Sequence, residues 1–138
     1  MTEGLSIAWT QAEATEHRIV YKRVLGANLA IYAVLSIAAI AAPTALSRLV
    51  GLPGPTEWLR SWGGLLLLVT LLYLPGFLDP VRSRWSNAVG IVGRFGAAGL
   101  YAVLGGGFLW LALGEAAFGI LLAVTYFGLF RSELMSRP

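Results

Sequence analysis

Two charged side chains, Arg94 and Glu115, interrupt a 43-residue apolar stretch at residues 88–130. A guanidinium offers five N–H donors to an acceptor oxygen, and a carboxylate accepts hydrogen bonds or takes up a proton. Charged groups inside membrane-length apolar segments are costly, so they mark binding sites, proton paths or structural ion pairs. Arg94 and Glu115 are therefore the first candidates for function.

Arg94 has three candidate roles. As a structural residue it would tilt towards the N-terminus of its helix and bond polar groups there. The expected partners on that side are Asp79, Asn28, Tyr73, Thr125 and Tyr126. Alternatively, Arg94 anchors an anionic ligand, a lipid phosphate or a quinone carbonyl, or it pairs with a carboxylate of a partner subunit.

Glu115 is expected to open the last helix, after a tight turn at residues 113–115. A carboxylate suits the positive end of a helix. Arg60, near the start of an earlier helix, would lie on the same side and form an ion pair with Glu115. Glu57 is a competing partner because it lies three residues before Arg60. Proton coupling by Glu115 is the alternative role.

The rest of the composition argues against several kinds of chemistry. The chain has no cysteine, which excludes disulfides, thiolate catalysis, iron–sulfur ligation and covalent haem attachment. His17 is the only histidine, and no metal-ligand motif occurs. We predict a protein that is not an enzyme and has no cofactor of its own, with a bound lipid or quinone as the open alternative.

The distribution of apolar residues predicts an all-α membrane protein. Hydrophobic residues make up 57% of the chain and charged residues 12%, whereas soluble domains carry about 25% charged residues. A helix needs about 20 residues to cross the hydrocarbon. The sequence therefore predicts one domain, residues 1–138, folded as a compact bundle of four spans after a polar lead-in with a short interfacial helix. The lead-in covers residues 1–23, and the spans cover about 24–42, 59–78, 88–110 and 114–130.

Lysines and arginines predict the orientation, because they accumulate on the cytoplasmic side of a membrane. Seven of them fall in the N-terminal segment, the loop between spans two and three and the C-terminal segment. They are Arg18, Lys22, Arg23, Arg82, Arg84, Arg131 and Arg137. Only Arg48 and Arg60 belong to the other side. Both termini are expected to be cytoplasmic, in a bacterial inner membrane.

Small residues recur along the third span, at Gly90, Gly93, Gly96, Ala97 and Gly99. Such a strip lets neighbouring helices approach closely in lipid. The third span is therefore expected to be the central, crowded helix of the bundle. The pattern does not follow a strand, so it does not indicate a nucleotide-binding loop.

The general plan is similar to that of small bacterial four-helix membrane proteins such as the DoxX-like group. Those proteins often carry an arginine and glycine near the start of an inner span, as LRSWGG does here at residues 59–64. Small multidrug exporters resemble the chain in size but place a glutamate deep in their first helix, where this chain has no acid. We assign the sequence to no family.

The leading functional hypothesis is a non-catalytic accessory subunit of a respiratory, photosynthetic or oxidative membrane complex. Its expected partners are other membrane subunits and lipids, and no nucleic acid. One alternative is a protein that binds a quinone, lipid or pigment near Arg94. The other is a small oligomeric transporter with Arg60, Arg94 and Glu115 along its path.

Overall fold

The computed structural model describes the backbone of residues 2–135 and the side chains of residue 9 and residues 11–135, and every element in it is helical. The five helices are α1 (Thr2–Ala41), α2 (Pro43–Val50), α3 (Thr56–Leu78), α4 (Arg84–Leu104) and α5 (Phe108–Met135). All except α2 are long and apolar enough to cross a membrane. The prediction of an all-helical chain with four membrane-length helices is confirmed.

The four long helices form a ring in the order α3, α1, α5, α4. Helix α1 packs against both α3 and α5, and α4 packs against α5, whereas α3 and α4 approach each other less closely. The main core cluster is built on α1 residues Tyr21, Leu25 and Leu29, which meet Leu122 and Leu129 of α5. The expectation that the third span would be central is therefore wrong. Helix α1 supplies more bulky side chains to the core.

Helix α1 also corrects the predicted lead-in. It runs unbroken for 40 residues, about 60 Å, which is twice the thickness of the hydrocarbon core. The expected lead-in helix is therefore continuous with the first span. The turns of α1 around Ala14 and Arg18 pack on the last turns of α5, where Ala14 is buried and Arg18 Nη2 lies 2.5 Å from Glu133 Oε1. We call this part of the bundle the terminal end and the opposite part the α2 end.

The turn between the last two spans lies earlier than hydropathy indicates. Helix α4 ends at Leu104, and the chain reverses through Gly105 and Gly106, whose φ angles are 65° and 56°. Residues with a Cβ rarely adopt such angles, so glycine is favoured there. Glu115 consequently lies seven residues into α5, about 10 Å from its start, instead of opening the helix.

Helix α2 and the loop after it cover the α2 end of the bundle. Leu52 is buried against Leu59 of α3 and Phe108 of α5. The loop comes so close to the glycine turn that a Cβ on Gly107 would lie 2.1 Å from the backbone oxygen of Gly51. The close packing of these two loops positions the first turn of α5.

Gly107→Ala should therefore destabilise the fold, since backbone must move to admit the methyl group. We expect a loss of about 1–3 kcal/mol, typical of overpacking, seen as a lower melting temperature in mild detergent. Gly114→Ala is the matched control, because a Cβ there meets nothing within 4 Å. Equal melting temperatures for the two variants would contradict the close approach.

Candidate functional site

Arg94 lies at the midpoint of α4, ten residues from either end and thus about 15 Å from each. Its side chain is only 2% exposed. Only some of the partners expected towards the terminal end contact it. Helix α4 begins at Arg84, four residues before the predicted span, so Arg94 lies deeper and finds its partners at that depth.

Four buried side chains from three helices form one polar network. Arg94 Nη1 donates to Glu115 Oε2 at 3.0 Å and to the Tyr32 hydroxyl oxygen at 2.5 Å. Arg94 Nη2 donates to Asn28 Oδ1, and the Tyr32 hydroxyl donates to Glu115 Oε1. Arg94, Tyr32 and Glu115 thereby close a ring of hydrogen bonds. We call these four residues the buried network.

Two aromatic rings cover the guanidinium. Its Cζ lies 4.4 Å from the ring centroid of Tyr32 and 5.3 Å from that of Tyr73. Both separations fall within the range of cation–π attraction. The charge on Arg94 is thus balanced by the carboxylate of Glu115 and shielded by two rings, which lowers the cost of placing it among apolar helices.

The structure brings together only part of the predicted anchor set. Asn28 and Tyr73 contact Arg94. Asp79 instead accepts a hydrogen bond from the backbone N–H of Arg82 at 3.1 Å, in the turn between α3 and α4. The ring of Tyr126 packs against Tyr21, with centroids 5.3 Å apart. Neither Asp79 nor Tyr126 belongs to the buried network.

The predicted ion pair between Arg60 and Glu115 is wrong. Glu115 pairs with Arg94, while Arg60 and its expected competitor Glu57 are exposed near the start of α3. The cause is the earlier turn, which carries Glu115 two helical turns into the bundle.

The sequence interpretation also missed Tyr32. Tyr32 lies four residues after Asn28, so both side chains lie on one face of α1. This spacing was the feature of the sequence that could have linked Tyr32 to the network.

The small residues of α4 serve different purposes. A Cβ on Gly90 would lie 2.2 Å from Cε1 of Tyr73, so this glycine permits a close approach of α3. At Gly96 and Gly99 a Cβ would meet nothing within 4 Å. Gly93 and Ala97 border a cavity. Close packing is therefore seen at Gly90 and not along the whole strip.

That cavity, the α3/α4 cleft, has a volume of about 240 Å³. Leu66 and Val69 of α3 and Gly93 and Ala97 of α4 form its walls. Val69 and Gly93 are exposed, so the cleft opens at the outer face of the bundle. At its inner side it reaches the buried network, since Arg94, Glu115 and Tyr32 also line it.

Helices α3 and α4 touch at both ends of the cleft. Towards the α2 end, Trp62 Nε1 donates to the Tyr101 hydroxyl oxygen at 3.1 Å. Towards the terminal end, the Tyr73 hydroxyl donates to the backbone oxygen of Gly90 at 3.2 Å. The cleft is thus an opening between α3 and α4 that is bounded at each end by an aromatic contact.

The buried network has unused hydrogen-bonding capacity. Arg94 Nε and Asn28 Nδ2 are buried and have no partner among the described residues. A buried polar atom without a partner costs free energy, so it calls for an explanation. Arg94 lines the α3/α4 cleft, but its Nε atom has almost no accessible surface, so an acceptor oxygen in the cleft reaches this N–H only when neighbouring side chains move.

The chemistry available at this site is recognition of an oxygen acceptor. Within the described ranges, no group of three or more His, Cys, Asp or Glu side chains could hold a metal ion. The carboxylate of Glu115 is already engaged by Arg94 and Tyr32. The arrangement is a guanidinium held in place by a carboxylate and hydrogen bonds, with aromatic side chains around it.

Removing one partner of the ion pair should cost more than removing both. We expect Glu115→Leu to lower the free energy of unfolding by about 3–5 kcal/mol, because it leaves Arg94 buried and unpaired. The double variant Arg94→Leu/Glu115→Leu should regain much of that loss. Equilibrium unfolding in mixed detergent micelles measures four proteins: wild type, Glu115→Leu, Arg94→Leu and the double variant. A double variant that loses the sum of the single effects would contradict this coupling.

Comparisons of the chain with known proteins supply no role for the buried network or the α3/α4 cleft. No protein-family model matches the chain, and neither the curated proteins nor the solved structures contain a match. What the protein does must be inferred from the chemistry of the network and the cleft beside it.

Proposed function

We propose that this chain is a membrane protein that binds a small lipid-soluble molecule in the α3/α4 cleft, with Arg94 as the polar anchor. The observation that carries the proposal is the unpartnered, buried Nε–H of Arg94, a residue that lines a cleft between apolar helices. An intramembrane ionisable residue is a candidate functional site on general grounds. Here the donor and the space for an acceptor occur together.

The cleft suits a molecule that arrives through the hydrocarbon. Its rim residues Val69 and Gly93 are exposed on helices of membrane-spanning length. A second hollow of about 470 Å³ runs on towards the terminal end and shares Val69, Tyr73 and Gly93 with the cleft. We call it the seam groove. Sites for whole drug-sized ligands occupy about 300–1,000 Å³, so the cleft takes a head group and the seam groove takes an apolar tail.

The ion pair supports a binding role better than a purely structural one. A buried salt bridge adds little net stability, because desolvating both charges offsets their attraction. It does hold the guanidinium in one orientation, through Glu115, Tyr32 and Asn28. A donor held in place before binding saves the ligand the entropic cost of ordering it.

We further propose a bacterial cytoplasmic membrane with both termini inside. The terminal end carries most of the basic residues, whereas the α2 end carries Arg48 and Arg60. Cytoplasmic segments of membrane proteins carry such an excess of positive charge. The basic residues of the terminal end are Arg18, Lys22, Arg23, Arg82, Arg84 and Arg131.

A second candidate function is an accessory subunit of a larger membrane complex. The observation that favours it is the open space beside Gly96 and Gly99, where a Cβ would meet nothing within 4 Å. Helix association in lipid uses close backbone approach at small residues. A helix of another subunit could pack there. No comparable observation favours transport, since Arg60 is exposed and is not part of the buried network.

Filling the cleft should abolish ligand binding. Ala97→Phe places a ring in the cleft wall, whereas Ala102→Phe makes the same change at an exposed position of the same helix. We expect native mass spectrometry of wild-type protein and Ala102→Phe to show a bound small molecule that Ala97→Phe lacks. Melting temperatures verify that both variants are folded. The absence of any bound molecule from wild type, or equal occupancy in both variants, would sink the proposal.

Partner association tests the second candidate separately. Gly96→Leu and Gly99→Leu should each reduce co-purification of another membrane subunit while leaving the cleft intact. Val103→Leu is the control, because Val103 is highly exposed on the same helix. Quantitative proteomics of mild-detergent extracts gives the readout. Unchanged co-purification in both glycine variants would argue against a subunit docked on this strip.

A further inference from the structure

We infer that the α3/α4 cleft selects an electrically neutral ligand with a ring-borne carbonyl and an apolar tail, the chemical class to which quinones belong, and that it discriminates against carboxylates. The inference rests on the proposed binding function and specifies its ligand. It follows from three features of the site: its charge balance, its free hydrogen-bonding groups and its aromatic lining.

The charge balance argues against an anion. Arg94 is paired with Glu115 at 3.0 Å, and both side chains are buried. Both also line the cleft. An anionic head group near the guanidinium would therefore lie near the Glu115 carboxylate as well. Like charges repel strongly where water is excluded, and an anion would also lose its own hydration. A neutral ligand avoids both costs.

The free groups argue for an acceptor. Three of the five N–H bonds of Arg94 are used by Tyr32, Glu115 and Asn28. The Nε–H is a donor without a partner in the part of the chain that the structure describes. A carbonyl oxygen complements it, because this group accepts a hydrogen bond and donates none. A hydroxyl hydrogen would have no evident use there, since Glu115 is already engaged.

The lining argues for a flat head group and an apolar tail. Tyr32, Tyr73 and Tyr101 all border the cleft, and aromatic rings pack well against one another in stacked or edge-on arrangements. The seam groove adds Leu72 and Val89, which offer an apolar path for a chain. A ring with a carbonyl on its edge and an alkyl tail matches all of these surfaces.

A matched pair of probes tests the selectivity. The compounds para-decylacetophenone and para-decylbenzoate share a ring and a tail, but one carries a neutral carbonyl and the other a carboxylate. We expect purified wild-type protein in neutral detergent at pH 8 to bind the ketone at least about tenfold more tightly, by equilibrium dialysis; tenfold corresponds to about 1.4 kcal/mol. A decyl-substituted benzoquinone should compete with the ketone.

Glu115→Gln tests whether the negative charge of Glu115 causes the preference for the ketone over the carboxylate. The amide oxygen still accepts hydrogen bonds while the negative charge is gone, so the variant should shift the ketone-to-carboxylate affinity ratio at least about tenfold towards the carboxylate. Glu57→Gln is the control, since Glu57 is exposed, and it should leave the ratio unchanged. If Glu115→Gln does not fold, the ketone-to-carboxylate affinity ratio of the wild-type protein alone tests the inference.

The outcomes separate the two proposals. Equal or tighter binding of the carboxylate by wild type overturns the neutral-carbonyl inference and leaves the cleft as a ligand site. Binding of neither probe overturns both. An unshifted ratio in folded Glu115→Gln overturns the assignment of the discrimination to Glu115.

Discussion

The burial of one guanidinium at the midpoint of α4 governs how the helices are arranged. Arg94 needs a carboxylate and further acceptors at that depth, and they come from α1 and α5. These two helices and α4 are therefore joined by polar bonds as well as by packing. Helix α3 adds no charged or amide group to the network and contacts Arg94 through the Tyr73 ring. The gap in the bundle lies on the side of α3 for this reason.

The glycine turn determines whether the ion pair can form. Gly105 and Gly106 supply positive φ angles, and Gly107 packs against the backbone at Gly51. Together they make α5 begin at Phe108, which brings Glu115 down beside Arg94. Gly105, Gly106 and Gly107 thus determine how deep Glu115 lies in the bundle.

The sequence was sufficient for the helical class and the number of membrane-length helices, because apolar block length reports directly on both. It also linked Asn28 and Tyr73 with Arg94. It could not pair Arg94 with Glu115, since residues 104–114 contain no charged residue that would mark the turn. Tyr32 was missed because tyrosine is common at helix faces. Only the close approach of α1 to Arg94 shows that its hydroxyl joins two charged groups.

The two aromatic contacts that bound the cleft set the height of its opening along α4. Gly90 and Tyr101 lie eleven residues apart on α4, about 16 Å of helix. The helical rise between these two residues is fixed by backbone hydrogen bonds, whereas the bounding contacts are made by side chains, so the opening keeps this height while both contacts persist. Under the proposed binding function, a molecule reaching Arg94 from the bilayer would pass through this aperture between the two contacts. Discrimination by shape can then occur at the aperture, before any hydrogen bond is made.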